Sequence, residues 1–252
     1  MKRVGFLADS HCGGLTGLTT PEYHGNDKLS KIRRNLYTEF KRIVRRMQPV
    51  DILITAGDLV DGDNAKEGGI GLITTDRIIQ TDIASQIIRE VNAQSVVVVK
   101  GTQYHVGQKE DWEDIIAREV GAVACSSREW VKVNGVTFDV KHKVAGSSLP
   151  YGSFTQTAKS NVWNLIWSEV GMQPRANIFV RAHTHTFGYC GDAQYLAVTL
   201  PCLQGYTRFG ARNVERLIDW GMAWIDVESD GSYKLDWDIV RIGCQAAKVI
   251  NL

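Results

Sequence analysis

The sequence predicts an α/β protein in which two mixed sheets pack face to face with helices on their outer sides. Strand and helix patterns alternate in the first half of the chain, whereas strand patterns dominate the second half. Polar motifs follow the apolar strand patterns, which is where functional sites form in open α/β sheets. No internal repeat and no low-complexity linker interrupts the 252 residues, so we expect a single domain over residues 1–252.

Each predicted element has its own apolar periodicity. Strands are predicted over residues 3–8, 51–56, 95–100, 136–140, 178–180, 193–200, 221–228 and 232–240. Helices are predicted over residues 29–47, 76–92, 111–120 and 158–170. Asp111 is the expected N-cap of the third helix and Gly121 its expected end. Ser229-Asp230-Gly231 is the expected turn of the last hairpin.

The composition excludes several classes of protein. A net charge of +1 leaves no overall positive charge for nucleic acid, and no apolar run approaches the roughly 20 residues of a membrane span. The five cysteines are odd in number and form no CxxC pair, which favours reduced thiols. The first predicted strand begins almost at Met1, which leaves no room for a cleaved signal peptide. We therefore expect a cytoplasmic location and no contact with a membrane.

One segment of the chain is locally basic. Its cations are Lys28, Lys31, Arg33, Arg34, Lys41, Arg42, Arg45 and Arg46. Apolar residues at helical spacing run through the same segment, which predicts an amphipathic helix packed on a sheet. We expect its basic face to be solvated, and contact with a polyanion is the alternative.

Five of the six histidines lie in short polar motifs beside the ends of predicted strands. Four motifs contain these histidines, and a fifth, over residues 57–62, contains two aspartates and no histidine. In chain order the five are Asp9-Ser10-His11, Gly57-Asp58-Leu59-Val60-Asp61-Gly62, Gly101-Thr102-Gln103-Tyr104-His105, Asp139-Val140-Lys141-His142 and Ala182-His183-Thr184-His185. Each motif alone fits an ordinary turn or a pair of surface histidines. Imidazoles and carboxylates, however, hold Zn, Mn or Fe in hydrolytic sites. The five motifs together predict a hydrolase site with two metal ions.

The order of these motifs resembles that of the calcineurin-like metallophosphoesterases, most closely their stand-alone bacterial or phage-encoded type. The resemblance covers Asp9 to His185 and implies an αββα sandwich that hydrolyses phosphoesters with two divalent metal ions. The ligand set that it implies is Asp9, His11 and His185 for one ion, His142 and His183 for the other, and Asp58 as the bridge between them. Manganese is the first candidate metal, and iron, zinc or nickel are the alternatives.

The third motif departs from the family pattern of Gly-Asn-His followed by an acid. Thr102 stands at the position of the Asn, so the register makes Thr102 the implied ligand, with the Gln103 amide or a water molecule as alternatives. His105 comes two residues late and is the candidate general acid that protonates the leaving group. A neutral histidine held by the backbone is the alternative for His105.

Two features bear on the substrate. Gly62 stands where the Ser/Thr phosphoprotein phosphatases carry a phosphate-gripping Arg, so we expect phosphodiesters rather than phosphoproteins. The loop over residues 204–216 mixes aromatic residues with arginines, and Arg208 and Arg212 are its candidate substrate-binding residues; an ordinary surface loop is the alternative. Nucleic acid or nucleotide diesters are the leading substrates. A phosphomonoesterase for a small metabolite and a metal-binding scaffold with weak catalysis are the alternatives, and the sequence leaves the oligomeric state open.

Overall fold

The computed structural model describes residues 1–65, 68–108, 110–145, 152, 154–208, 210 and 217–242. Its strands are β1 Lys2–Leu7, β2 Ile52–Ala56, β3 Ser95–Val99, β4 Ala124–Ser126, β5 Glu129–Val133, β6 Val136–Lys143, β7 Ile178–Ala182, β8 Gly188–Gly191, β9 Leu196–Thr199, β10 Trp220–Val227 and β11 Tyr233–Val240. Its α-helices are α1 Ser30–Met47, α2 Arg77–Val91, α3 Gln103–Val106, α4 Trp112–Glu119 and α5 Thr155–Glu169, and a 3-10 helix covers Pro21–Tyr23.

The strands form two mixed sheets. The first has the order β11-β10-β1-β2-β3-β4, and the second has the order β5-β6-β7-β9-β8. Strands β1 to β4 run parallel to one another, as do β6, β7 and β9. The carboxyl ends of neighbouring parallel strands therefore meet at one edge of each sheet, and the polar motifs begin there.

The two sheets pack face to face through alternate apolar residues. Phe6 and Ile54 of the first sheet share a buried cluster with Phe138 and Ile178 of the second. On the outer side of the first sheet, α1, α2 and α4 bury a second apolar cluster, while α5 lies against β7 and β9 on the outer side of the second sheet. Each large apolar side chain buried in this way stabilises the fold by about 1.5–3 kcal/mol. The predicted α/β sandwich is confirmed.

Most predicted elements lie within a few residues of the observed ones. Asp111 caps α4 by accepting a hydrogen bond from the Glu113 amide at 3.2 Å, and Gly121 follows the helix end with a φ of +65°. The hairpin turn is also found, with Gly231 at a φ of +85°. The strand predicted over residues 193–200 is shorter in the structure, where β9 covers Leu196–Thr199, and α5 begins at Thr155 rather than at 158. Strands β4, β5 and β8 and the short helix α3 were not predicted.

Part of the basic face of α1 is paired with acidic residues. The Arg42 guanidinium makes two hydrogen bonds to Asp238 of β11, at 2.7 and 2.9 Å, and Arg46 adds a third at 2.9 Å. Arg33 is buried and donates to the main-chain oxygen of His24 at 2.7 and 3.0 Å. These cations stabilise packing within the chain, which weakens the case for a polyanion on this helix.

The described cysteines, Cys12, Cys125, Cys190 and Cys202, are free thiols. Cys12 follows the first ligand motif, yet its Sγ points to the Ser10 hydroxyl at 3.6 Å and belongs to no group of candidate metal ligands among the described residues. Burial raises the pKa of the Cys12 thiol to about 12, so it is a neutral residue of a buried turn.

In the described part of the chain, no helix combines the length and apolar character needed to cross a bilayer.

Candidate metal centre

The loops that follow β1 and β2 continue to pair after the strands end. The Asp9 amide donates to the Gly57 oxygen, and the His11 amide donates to the Asp58 oxygen, both at 3.0 Å. Gly57 is required here, because a Cβ at this position would lie 2.6 Å from Nδ1 of His142. This backbone pairing brings the first two ligand motifs together at one edge of the sheet.

The implied ligands have an unusual backbone. Five of the six have φ in the left-handed region, namely Asp9 (50°), His11 (44°), Asp58 (51°), His183 (74°) and His185 (55°). Only a few per cent of non-glycine residues have such a φ, although Asp and His are among the more tolerant. Such conformations cluster at functional sites, where the surrounding structure holds them in place.

Asp9, His11 and His185 form the first group of candidate ligands, with their ligand atoms within 4.8 Å of one another. Nε2 of His185 lies 3.3 Å from Oδ1 of Asp9, and Nε2 of His11 lies 4.0 Å from the same oxygen. Oδ1 of Asp9 and Nε2 of His11 are buried without a hydrogen-bond partner. Buried polar atoms of this kind are rare, and a cation between them would satisfy both. The donor set fits a divalent transition metal.

Asp58, His142 and His183 form the second group. Oδ2 of Asp58 lies 3.1 Å from Nε2 of His142 and 3.8 Å from Nδ1 of His183. Nδ1 of His142 donates to the Ala56 oxygen at 2.6 Å, which fixes the orientation of the ring and leaves Nε2 for the centre. Two nitrogens and one carboxylate again match a metal site.

The two groups adjoin each other. The His183 amide donates to Oδ2 of Asp9 at 3.1 Å, so a residue of the second group holds the carboxylate of the first. Although burial alone would raise the pKa of Asp9, the nearby His185 and His142 lower it. Burial would likewise raise the pKa of Asp58, but hydrogen bonds from His142 and His183 hold it well below the usual value. Both carboxylates are therefore ionised at neutral pH, as metal ligands must be.

Asp61, the second aspartate of the motif over residues 57–62, contacts two histidines. Its Oδ1 lies 3.0 Å from Nδ1 of His11 and 3.5 Å from Nδ1 of His105. Nδ1 of His105 also donates to the Asp61 main-chain oxygen at 2.9 Å. Burial, together with the nearby charge of His11, lowers the pKa of His105. His105 thus lies beside the first group, with its ring packed edge-on against His11.

Thr102 is the residue of the altered third motif that contacts Asp58. Its amide donates to Oδ1 of Asp58 at 2.6 Å, and its hydroxyl lies 3.0 and 3.2 Å from the two carboxylate oxygens. A Cβ at Gly101 would lie 2.2 Å from Oδ1 of Asp58, so this approach needs glycine. Gln103 is exposed instead and lines a neighbouring cavity. Whether the Thr102 hydroxyl also binds a metal ion stays a prediction.

Glu113 supports the site and carried no recognisable sequence signal. It is fully buried, and its two oxygens accept hydrogen bonds from the amides of Leu59 at 3.0 Å and Gly101 at 2.6 Å. Burial raises the pKa of Glu113 to about 8 in spite of these two bonds. One side chain therefore ties the loop after β2, which carries Asp58, to the loop after β3.

A cavity of about 580 Å³ lies next to the third motif, of which Gln103 and Tyr104 line it. Its lining residues are Asp63, Ala65, Arg77, Gln103, Tyr104, Gly107, Gln108, Glu110 and Trp112. Tyr104 joins the cavity to the centre, because its ring packs edge-on against that of His105 at 4.8 Å between centroids. Of the predicted substrate-binding residues, Arg208 is exposed and Arg212 lies outside the described residues. No contact among the described residues places either arginine beside the candidate ligands.

Comparison of the sequence with protein-family models and with curated proteins finds no match. The fold is similar to that of Vps29 from Entamoeba histolytica complexed with zinc, at 14% identity and a TM-score of 0.48, over 94% of this chain and 98% of that chain. It is similar to an archaeal phosphodiesterase at 13% identity and a TM-score of 0.47, over 93% and 99% of the two chains. Vps29 from Chaetomium thermophilum is similar at 8% identity and a TM-score of 0.49, over 95% and 97%. Because these values are too low to transfer a function, function has to be inferred from the site's own residues.

Proposed function

We propose that this protein is a metal-dependent phosphoesterase that binds two divalent ions and hydrolyses phosphodiesters. The observation that carries the proposal is the pair of adjoining Asp/His groups, one of which contains two buried polar atoms without a partner. Asp9, His11 and His185 would hold one ion, and His142 and His183 the other. Asp58 would contact both ions, with Thr102 as a further ligand of the second.

Two divalent ions held there would neutralise the charge of the phosphoester and lower the pKa of a bound water molecule. Imidazole and carboxylate ligands suit manganese, which is our first candidate, as well as iron, zinc and nickel. The chain's own part is to hold these ligands ready. The Ala56 oxygen orients His142 and the Asp61 carboxylate orients His11, so the Nε2 atoms of these two histidines are left for an ion.

His105 would donate a proton to the leaving group. Its Nδ1 is bonded to the Asp61 oxygen, which leaves Nε2 as the nitrogen that can carry the transferred proton. Because the pKa of His105 is lowered, its protonated form is a stronger acid than an ordinary imidazolium. The cavity lined by Tyr104, whose ring packs against that of His105, is our candidate space for the leaving group.

Diesters are favoured over phosphoproteins by the turn after Asp61. Gly62 has a φ of +75°, and a Cβ there would lie 2.5 Å from the His105 oxygen, so no phosphate-gripping side chain fits at this position. Nucleotides and nucleic acids remain candidate diesters. The basic face of α1 gives little support for nucleic acid, since Arg42 and Arg46 are engaged with Asp238.

A metal-binding scaffold with weak catalysis is the second candidate. The observation that favours it is the hydroxyl of Thr102, which is bonded to Asp58 where the resembled family has an amide oxygen. A scaffold predicts two bound ions without appreciable turnover. Metal content and activity must therefore be measured on the same preparation.

The test is a substrate panel with metal-stripped protein reconstituted in turn with Mn, Fe, Zn, Ni and Mg. The panel includes bis-aryl and mono-aryl phosphates, cyclic nucleotides, single- and double-stranded DNA, RNA and a phosphoserine peptide. We expect metal-dependent turnover that is higher for the bis-aryl than for the mono-aryl ester. A preference for monoesters would favour the small-metabolite phosphatase, and bound metal without turnover would favour the scaffold. Activity that survives chelation in a metal-free preparation would refute the proposal.

A further inference from the structure

The polar face of α5 lies on the sheet. Thr157 and Asn164 are 1% and 0% exposed, respectively. The Thr157 hydroxyl lies 3.2 Å from that of Thr199 on β9, and the Asn164 amide side chain bonds the Pro174 oxygen and the Ala176 amide, both at 2.9 Å. A helix packed on a sheet ordinarily buries its apolar stripe instead. The apolar face of α5 is therefore left on the outside.

That outer face carries a stripe of large apolar side chains, hereafter the α5 stripe. Its members are at least 44% exposed and are Val162, Trp163, Leu165, Ile166, Trp167 and Val170, with Met172 just beyond the helix. Spacings of three and four residues place most of them on one side of the helix. Together they expose on the order of 800 Å², which exceeds the largest apolar patch of a typical monomer and equals one partner's share of a standard interface.

We propose that the α5 stripe is a homodimer interface, in which α5 packs antiparallel against α5 of a second copy across a twofold axis. The charges near the ends of the helix support this occupant. The only charged side chains among the 15 residues of α5 are Lys159 and Glu169. An antiparallel pair places Lys159 opposite Glu169 of the partner subunit twice, whereas a parallel pair would place like charges together.

A twofold interface requires a surface that is complementary to itself, and the α5 stripe meets that requirement. The midpoint between Lys159 and Glu169 is position 164, so Trp163 and Ile166 would flank the axis. Tryptophan is one of the residues enriched among binding hot spots, which cluster near the centre of an interface. A lipid surface is less well matched, because helices that bind membranes carry several basic residues along the rim and α5 has a single lysine.

The test measures mass by sedimentation velocity over a concentration series. Ile166→Glu places a charge in the stripe, and Ile78→Glu is the matched control, because Ile78 of α2 is 69% exposed outside the stripe. We expect wild type and Ile78→Glu to dimerise equally. Ile166→Glu should raise the dissociation constant by at least about 30-fold while retaining its metal content and circular dichroism spectrum.

The orientation is tested by charge reversal. Lys159→Glu should weaken the dimer severalfold, and Lys159→Glu/Glu169→Lys should restore it. Failure of the double variant to restore the dimer would overturn the antiparallel arrangement.

The dimer itself is overturned if wild type stays monomeric, or if Ile166→Glu associates as well as Ile78→Glu. A monomer that binds phosphatidylcholine–phosphatidylserine vesicles through the stripe would assign the face to a membrane instead. A monomer that Ile166→Glu alone destabilises to heat would assign it to another part of the same chain.

Discussion

Asp61 accepts a hydrogen bond from Nδ1 of His11 across a distance of 3.0 Å. This bond selects the tautomer of His11 whose Nε2 lone pair is directed to the side of Asp9. The same Nε2 is buried and lacks a hydrogen-bond partner. We therefore propose that Asp61 positions the candidate ligand His11 without being one of the six candidate ligands itself.

Removing this support should weaken metal binding. Asp61→Ala is expected to lower the affinity of the first site about 10- to 100-fold, the usual cost of losing the partner of a ligating histidine. Equilibrium dialysis followed by elemental analysis measures the effect. Asp63→Ala is the control, because that carboxylate lies in the same loop but is 59% exposed and pairs with Arg77. Equal affinities for the two variants would contradict the role of Asp61.

Asp58→Asn tests whether one carboxylate serves both ions. The substitution removes the negative charge beside His142 and His183 with almost no change in shape. We expect loss of activity and reduced occupancy at both sites, measured as metal per chain. Asp226→Asn, which disturbs an ion pair with Arg3 at the other end of the first sheet, should keep both ions. Retention of one full equivalent in Asp58→Asn would show that Asp58 serves a single site.

Thr102→Ala and Gln103→Ala form a matched pair within the third motif. Because the Thr102 hydroxyl contacts both oxygens of Asp58 and Gln103 is exposed, Thr102→Ala should lower occupancy of the second site while Gln103→Ala leaves it unchanged. Metal content after dialysis against a weak chelator measures both. The reverse order would make the Gln103 amide the substitute for the missing asparagine. No change in either variant would mean that water completes the coordination.

His105→Asn tests the general acid. The variant should keep its metal and lose a factor of about 10²–10⁴ in kcat on diesters with poor leaving groups. Nitrophenolate esters should be much less affected, because that leaving group departs without a proton. Comparing kcat for a nucleoside diester and a bis-nitrophenyl ester separates the two. Full activity of the variant on the nucleoside diester would assign the acid to another group.

Asp139 should make stability depend on pH in the acid range. It is fully buried between Arg128, which donates to it at 2.8 and 2.7 Å, and Arg181, which donates at 2.8 Å. Burial alone would raise the pKa of Asp139, but the two arginines lower it below its usual value. A carboxylate with a lowered folded-state pKa contributes its full stability above about pH 4 and loses it as the pH falls through that lower value.

Asp139→Asn leaves a buried guanidinium without its counter-charge, so we expect a loss of about 3 kcal/mol in the free energy of unfolding at pH 7. The difference from wild type should shrink below about pH 4 as the native carboxylate becomes protonated. Urea unfolding at several pH values measures this. A difference that stays constant down to the acid limit would show that packing, and not charge, makes the contribution.

The arrangement of the candidate ligands could be anticipated from sequence because it depends on topology. Asp9 and Asp58 each follow an apolar strand, and parallel strands end at a common edge. Thr102 could be aligned with the missing asparagine for the same reason. The strands β4 and β5 escaped prediction, since three and five residues of mixed polarity give no clear periodicity.

Other features depend on tertiary packing that no local pattern encodes. Glu113 lies in the first turn of α4, where acidic residues are common for the sake of the helix dipole, so its burial could not be told from sequence. In α5, the apolar pattern would place Trp163 and Trp167 on the sheet. Asn164 is buried instead, because its side chain forms hydrogen bonds with the main chain at Pro174 and Ala176.

The left-handed backbone of five candidate ligands limits how such a centre could arise in, or be transplanted into, another protein. Each such residue stores about 1–3 kcal/mol of strain, which the rest of the sandwich must offset. Placing the six side chains at the end of regular strands would leave their ligand atoms pointing apart, because the loop conformations are what bring these atoms together. A designer would have to move the loops after β1, β2 and β7 as a unit. For the same reason, such a centre would be lost in evolution more easily than gained. Replacing one candidate ligand with glycine would relieve its strain at once, whereas regaining the centre would require several strained residues to be restored together.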